Sequence, residues 1–180
     1  MSYCNYCEGM SDDNVHKVYH DNQYGFPIND DDELFGRLIL EINQAGLSWE
    51  TILKKESGFR KAYDEFSIDK ISNYKDKDIQ RLLKDSSIIR NKLKVNAAIF
   101  NAQKIKVLRN DFGSFKGWLD HYHPLNSDEW TKLFKKTFKF VGREIVNEFL
   151  MSTGYLLGAH EKSCPIFDKV LQEKPKWSSI

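Results

Sequence analysis

Helix start and stop signals recur along this chain at short intervals, and the stretches between them repeat apolar residues with helical period. "INDDDELFGRLILEINQAG" opens with Asp30, carries Glu33 three residues later as in a capping box, and stops near Gly46. Ser48 is placed to cap "WETILKKE", "GFRKAYDEF" reads as a further helix, and "DKDIQRLLKD" as a two-turn amphipathic piece. Ser86 or Ser87 starts the longest run, with Ile89, Leu93, Ala97, Phe100 and Ile105 at core spacing. Pro124 closes "SFKGWLDHYHP", and Asn126 with Glu129 repeats the capping-box spacing ahead of "WTKLFKKTF". "KFVG" makes a tight bend, and "REIVNEFLMSTG" follows with Gly154 as its stop. No strand-length run of β-branched residues alternates, so the expected fold class is all-α. The tail from Pro165 is short and polar and is expected to be partly disordered.

A chain of 180 residues buries a proper core, and no repeat or linker divides this one. No apolar segment approaches the roughly 18 residues of a membrane span, which excludes an integral membrane role. The N-terminal stretch has no signal-type apolar region. Three cysteines, an odd number, argue against a disulfide scaffold and for thiols or metal ligands in a cytoplasmic setting. With a formal charge of +1, any polyanionic partner must be met by a local basic patch. Nothing resembles a phosphate-binding loop, a dinucleotide fingerprint or a Ser–His–Asp set.

Three groups of residues carry chemical possibilities. Cys4, Cys7, His16 and His20 stand near one end, and His160 and Cys164 near the other. Thiolate and imidazole together suit tetrahedral zinc, through Cys4, Cys7, His160 and Cys164 or through one N-terminal cysteine with His20, His160 and Cys164. Four protein ligands leave no open position, so such a metal staples rather than catalyses. Second, Lys132, Lys135, Lys136, Lys139 and Arg143 surround a helix–bend–helix whose bend is Phe140, Val141 and Gly142. Amides at the next helix start suit a DNA phosphate there, although a solvated basic face has the same spacing. Arg90, Lys92 and Lys94, with Lys54 and Lys55, extend that surface if they share a side. Third, Tyr19, Tyr24, Glu41 and Trp49 offer aromatic faces and one carboxylate, which suits a flat cationic ring. Glu41 falls beside Leu34, Leu38 and Ala45, at the margin of an apolar stripe. Core rings with a snorkelling edge carboxylate remain the alternative.

"YHDNQYGFP", "LILEINQAGLSWETILKK", "IIRNKLKVNAAIFNA", "FKFVG" and "GAHEKSC" occur in that order, and together they closely resemble bacterial 3-methyladenine DNA glycosylase I, a divergent helix-hairpin-helix family. The resemblance runs from about Cys4 to Cys164. It implies an all-α, helix-hairpin-helix glycosylase whose termini are held by a Cys–His–His–Cys zinc. Carried over by motif, the ligands are His20, His160 and Cys164, with Cys4 favoured because an aromatic follows it two residues later; ungapped spacing selects Cys7. The matching pocket residues are Tyr19, Glu41 and Trp49, with Tyr6 and Tyr24 at positions where the family usually has tryptophan. His16 stands where a tyrosine is common. The stretch "LLGAH" lacks the aspartate of the wider superfamily, as glycosylase I does. By analogy with wedge residues, Gly46 and Leu47 probe or fill the gap left by a flipped base. Lys136, Lys139, Val141 and Gly142 belong to the DNA-binding hairpin.

The resemblance implies one domain over residues 1–180. Its zinc-binding termini are 1–20 and 155–170, its base pocket lies around 19–49, and its hairpin spans about 128–154. The implied enzyme is a monomer that acts on alkylated double-stranded DNA, releases N3-methyladenine and leaves the abasic site uncut. Glu41 and Tyr19 are its catalytic pair, with Trp49, Tyr24 and Tyr6 against the base. The alternative is a non-catalytic protein of the same fold that binds alkylated or abasic DNA.

Overall fold

The computed structural model describes residues 2–179. Among them the chain forms helices α1 (Tyr3–Cys7), α2 (Val15–Asn22), α3 (Asp31–Gln44), α4 (Trp49–Ala62), α5 (Ile68–Ile71), α6 (Asp76–Lys84), α7 (Lys92–Phe112), α8 (Phe115–Tyr122), α9 (Ser127–Thr137), α10 (Arg143–Ser152) and α11 (Pro165–Gln172). Short 3-10 turns occupy Asp64–Phe66 and Lys176–Ser179, and no strand is present among the described residues. None of these helices is long and apolar enough to cross a membrane.

Helix α3 is the axis of the fold, packing against α4, α7, α8 and α10. Its Asp30 cap accepts from the Glu33 amide, but the Glu33 carboxylate turns away to take a fork from Arg60 at 2.6 and 2.8 Å. Neighbours on every side bury every residue from Leu34 to Asn43. Glu41 therefore has no water-facing edge along which to snorkel, and that sequence alternative is overturned.

Caps decide where several elements begin. Ser48 accepts from the Thr51 amide and starts α4, and Asn126 with Glu129 forms a complete capping box at α9. The expected break before "GFRKAYDEF" is absent: α4 runs through Gly58, where an added Cβ would lie 2.6 Å from the Ser87 carbonyl oxygen. Ser87 is thus a packing partner, and Asn91 caps α7 by accepting from the Leu93 and Lys94 amides. In that first turn Leu93 is 69% exposed, contrary to its core assignment, whereas Ala97 and Ile105 are buried.

The C-terminal tail is also ordered. Pro165 takes the first position of α11, the place where a missing amide costs nothing, and Ile166 and Val170 are buried one turn apart. The Trp177 amide donates to the Gly154 carbonyl at 3.2 Å, and its ring meets Phe167. Polar composition hid an amphipathic helix.

Under the α9–α10 hairpin lies an aromatic nest of Phe115, Trp118, Trp130, Phe134, Phe138 and Phe149. It mounts the hairpin firmly on the main core, since each buried ring contributes about 2–3 kcal/mol by area alone. A smaller cluster of Tyr19, Tyr24 and Ala159, with Tyr3, Trp49 and Leu53 against it, is joined to that core through Trp49.

Candidate active site

The smaller cluster walls a cleft of about 380 Å³. Helix α1 brings Tyr3, α2 brings Tyr19, the following turn brings Tyr24, α3 brings Glu41 and the start of α4 brings Trp49. Ile145, Glu144 and Glu148 of α10 close the remaining side. Tyr19 and Trp49 meet edge to face, their centroids 5.2 Å apart at 66°. The Tyr24 hydroxyl donates to Glu148 at 3.2 Å.

Glu41 is 5% exposed. Burial pushes its carboxyl up to about 8; the Arg37 guanidinium opposes the rise and the Glu148 charge adds to it. Burial also raises the Glu148 carboxyl and the Tyr19 and Tyr24 phenols. Behind Tyr19, Arg37 donates from Nη1 to the phenol oxygen at 3.0 Å and from Nη2 to Gln23 at 3.3 Å.

Tyr6 does not reach the cleft. It is 46% exposed and stacks on the outer side of Tyr3 at 6.0 Å. Tyr6 packs over Tyr3 and His16 on the side away from the cleft; the ring that α1 contributes is Tyr3, which the sequence reading missed.

Between α3 and α4 the chain turns at Gly46, whose φ of +82° suits a residue without Cβ. Leu47 stands out from this turn, partly exposed. Lys94 fixes the turn from below: its ammonium donates to the carbonyls of Asn43 and Ala45 at 2.8 and 2.7 Å. Lys94 is buried, and loss of hydration lowers its pKa, so it does not belong to the basic surface the sequence suggested. Lys54 is likewise engaged, pairing with Glu50 at 2.6 Å.

In the hairpin the left-handed residue is Phe140, at φ +60°, and not Gly142, at φ −104°. Buried Asn101 holds the strained bend by accepting from the Lys139 amide at 2.8 Å and donating to its carbonyl at 3.1 Å. Gly142 caps α10 without a side chain, so the first amides of α10 are left for an outside acceptor. Val141 is buried, whereas Lys136 and Lys139 are exposed. Arg143 is held by Asp128 at 3.1 Å, and Lys136 has no ion-pair partner among the described residues.

The ligating atoms of Cys4, His20, His160 and Cys164 all lie within 4.8 Å of one another. Cys4 Sγ is 3.6 Å from His160 Nδ1, and Cys164 Sγ is 3.7 Å from both His160 Nδ1 and His20 Nε2. The outer ring nitrogens are committed elsewhere: His20 Nδ1 to Asp21 at 2.6 Å, and His160 Nε2 to the Tyr24 carbonyl at 2.7 Å. Such partners aim each imidazole lone pair inward, as metal-bound histidines require. Burial pushes the Cys4 thiol up to about 11, a penalty that a central cation removes. Cys7 is buried elsewhere, with Sγ against the His16 carbonyl, so of the sets left open by the sequence only that with Cys4 and His20 converges.

Comparison with known proteins agrees with this architecture. Residues 9–132 match the sequence model of the methyladenine glycosylase family. The chain is 32% identical over 177 residues to DNA-3-methyladenine glycosylase 1 of Escherichia coli K12, covering 88% of this chain and 94% of that protein. A DNA-3-methyladenine glycosylase of Haemophilus influenzae is 30% identical over 178 residues, covering 88% and 96%. Among solved structures, a tyrosine-to-phenylalanine variant of 3-methyladenine DNA glycosylase I in complex with 3-methyladenine superposes with TM-score 0.81 at 31% identity, covering 90% of this chain and 97% of that one. The Staphylococcus aureus enzyme, solved for its recognition of 3-methyladenine, gives TM-score 0.81 at 31% identity over 92% and 97%. With the all-helical fold, the aromatic cleft around a buried glutamate and this extent of matching, the chain belongs to the methyladenine glycosylase family.

Proposed function

We propose that this glycosylase releases N3-methyladenine from alkylated double-stranded DNA by hydrolysing the N-glycosidic bond, and that it leaves the abasic site uncut. The observation that carries the reading is Glu41, a buried carboxyl facing a cleft walled by Tyr3, Tyr19, Tyr24 and Trp49. N3-methylation makes the adenine ring cationic in the nucleoside, weakens the glycosidic bond and lets the base depart neutral. An enzyme for such a leaving group needs little acid assistance, so selecting the ring does much of the catalysis.

Stacking on Trp49 and Tyr19 favours a cationic ring by about 1–2 kcal/mol once water is excluded. Glu41, held up at about 8, is largely protonated in the open cleft at neutral pH. A cation beside it favours the carboxylate, so binding a charged base and ionising Glu41 support one another. Neutral adenine gains nothing from that linkage. Glu41 then accepts from the exocyclic amino group, and water attacks the sugar carbon as the bond opens. No lysine lines the cleft among the described residues, which fits hydrolysis without a Schiff base.

Gly46 and Leu47 are assigned to the gap left by the flipped base. Lys136, Lys139, Val141 and Gly142 are assigned to the phosphate backbone. Cys4, His20, His160 and Cys164 would hold zinc, whose contribution is to tie the two ends of the chain together. The protein acts as a monomer, and residues 1–180 form one glycosylase domain.

The test is base release. Purified protein is incubated with methylated duplex DNA, and freed bases are identified by chromatography. Free 3-methyladenine from the wild type, and little from Glu41→Gln, is expected. DNA binding without any released base would turn the reading to a non-catalytic damage binder.

A further inference from the structure

Arg37 is a buried cation, 7% exposed, with no carboxylate within 4 Å among the described residues. Such a group is costly unless its charge is used. It stands one helical turn from Glu33 on one side and one turn from Glu41 on the other. The Glu33 carboxylate is already occupied by the Arg60 fork at 2.6 and 2.8 Å. The Arg37 charge lowers both acids, but Glu33 already has Arg60 as its main partner, whereas Arg37 is the one cation acting on Glu41 among the described residues. Two of the Arg37 N–H groups are engaged, one on Tyr19 Oη in the cleft wall at 3.0 Å and one on Gln23 Oε1 at 3.3 Å. Its Cζ lies 5.0 Å from the Tyr19 ring centroid.

We propose that Arg37 is a positioning residue for base excision: it fixes the Tyr19 ring and hydroxyl in the cleft wall and supplies the one positive charge that faces Glu41. The proposal rests on the glycosylase reading above and deepens it. The charged and titratable groups turned toward Glu41 are Tyr3, Tyr19 and Tyr24 from α1, α2 and the turn after α2, Glu144 and Glu148 from α10, and Arg37 from its own helix. All but Arg37 are neutral or negative, so removing Arg37 leaves the carboxylate without an opposing charge. Arg37 donates to the Tyr19 oxygen, and Ser152 lies against the same group, so the phenol is held from behind by two neighbours.

Wild type, Arg37→Met and Arg37→Lys are compared in two assays. One is kcat/KM for base release across pH; the other is 13C NMR of carboxyl-labelled glutamate, with Glu41 identified as the signal missing from Glu41→Gln. Arg37→Met is expected to move the Glu41 midpoint upward by about one pH unit, to carry the acid limb of the rate profile with it, and to lower the plateau about tenfold. Arg37→Lys should hold the midpoint near that of the wild type while the plateau still falls, because an ammonium cannot bridge Tyr19 and Gln23 as the fork does. An unmoved midpoint in Arg37→Met, or an equal displacement in Arg37→Lys, overturns the proposal. If Arg37→Met does not fold, Arg37→Gln replaces it as the uncharged variant under the same criteria. Absence of base release by the wild type refutes the glycosylase reading separately, and the NMR midpoints still decide whether Arg37 governs Glu41.

Discussion

Glu41→Gln separates what the buried carboxyl costs from what it does. In the fold the group sits up at about 8, whereas in an unfolded chain a glutamate titrates near about 4.3. The folded value is the higher one, so the folded chain keeps a proton that the unfolded chain gives up. The associated stability is fully present below about pH 4 and is lost as pH rises through about 8. Each pH unit inside that window costs about 1.4 kcal/mol, or about 3 kcal/mol between about pH 5.5 and 8.5 once the curvature at both ends is counted. Glutamine fills nearly the same volume and carries no titrating proton, so the variant does not suffer this loss. Urea unfolding of both proteins at the two pH values measures the difference directly, because the other groups titrate in both chains and cancel. The variant should be the more stable protein at the alkaline end and yet the poorer enzyme, a division expected of a group retained for function. Stability curves that stay parallel, within about 1 kcal/mol, would show that Glu41 is not held protonated by the fold, and the linkage to a cationic base would fall with it.

Lys94→Met orphans the buried Asn43 carbonyl and the half-buried Ala45 carbonyl, so urea unfolding should show a loss of about 3 kcal/mol, with base release falling further as the Gly46–Leu47 turn loosens. Lys136→Ala should weaken DNA binding alike for all sequences and reduce the slope of log affinity against log salt by about 1; an unchanged slope removes this lysine from the footprint. Metal analysis should find one ion per chain in wild type and in Cys7→Ser, and none in Cys4→Ser, a direct check on which N-terminal thiol ligates. Phe134→Ala empties a fully buried position under the hairpin and should cost about 3–5 kcal/mol in chemical denaturation.

Where the chain speaks locally, its sequence is easily read. Ser48, Asn126 and Glu129 cap helices as their spacing implies, because a cap is decided within four residues. Where two segments compete for one group, local reading fails. Glu33 has the spacing of a capping-box partner but is drawn off by Arg60, and Gly58 sits inside a helix because Ser87 presses against it. Tyr19, Tyr24, Glu41 and Trp49 could be grouped in advance because polar and aromatic residues interrupt apolar periodicity there. Tyr3 and Arg37 gave no such signal: one sits on a helix too short for periodicity, and the other looks like an ordinary surface arginine until α2 is laid over it. Lys94 was hidden in the same way among exposed lysines.

The metal cluster and the cleft share a backbone group: the Tyr24 carbonyl, on the residue that walls the cleft, receives the His160 ring. The wall therefore leans on a residue 136 positions further along the chain than the one it supports. Contacts of such separation are closed late and slowly, after local helices have formed. A change at the cluster thus reaches the cleft wall through a single hydrogen bond, while α3, which carries Glu41, supplies none of the four clustered residues.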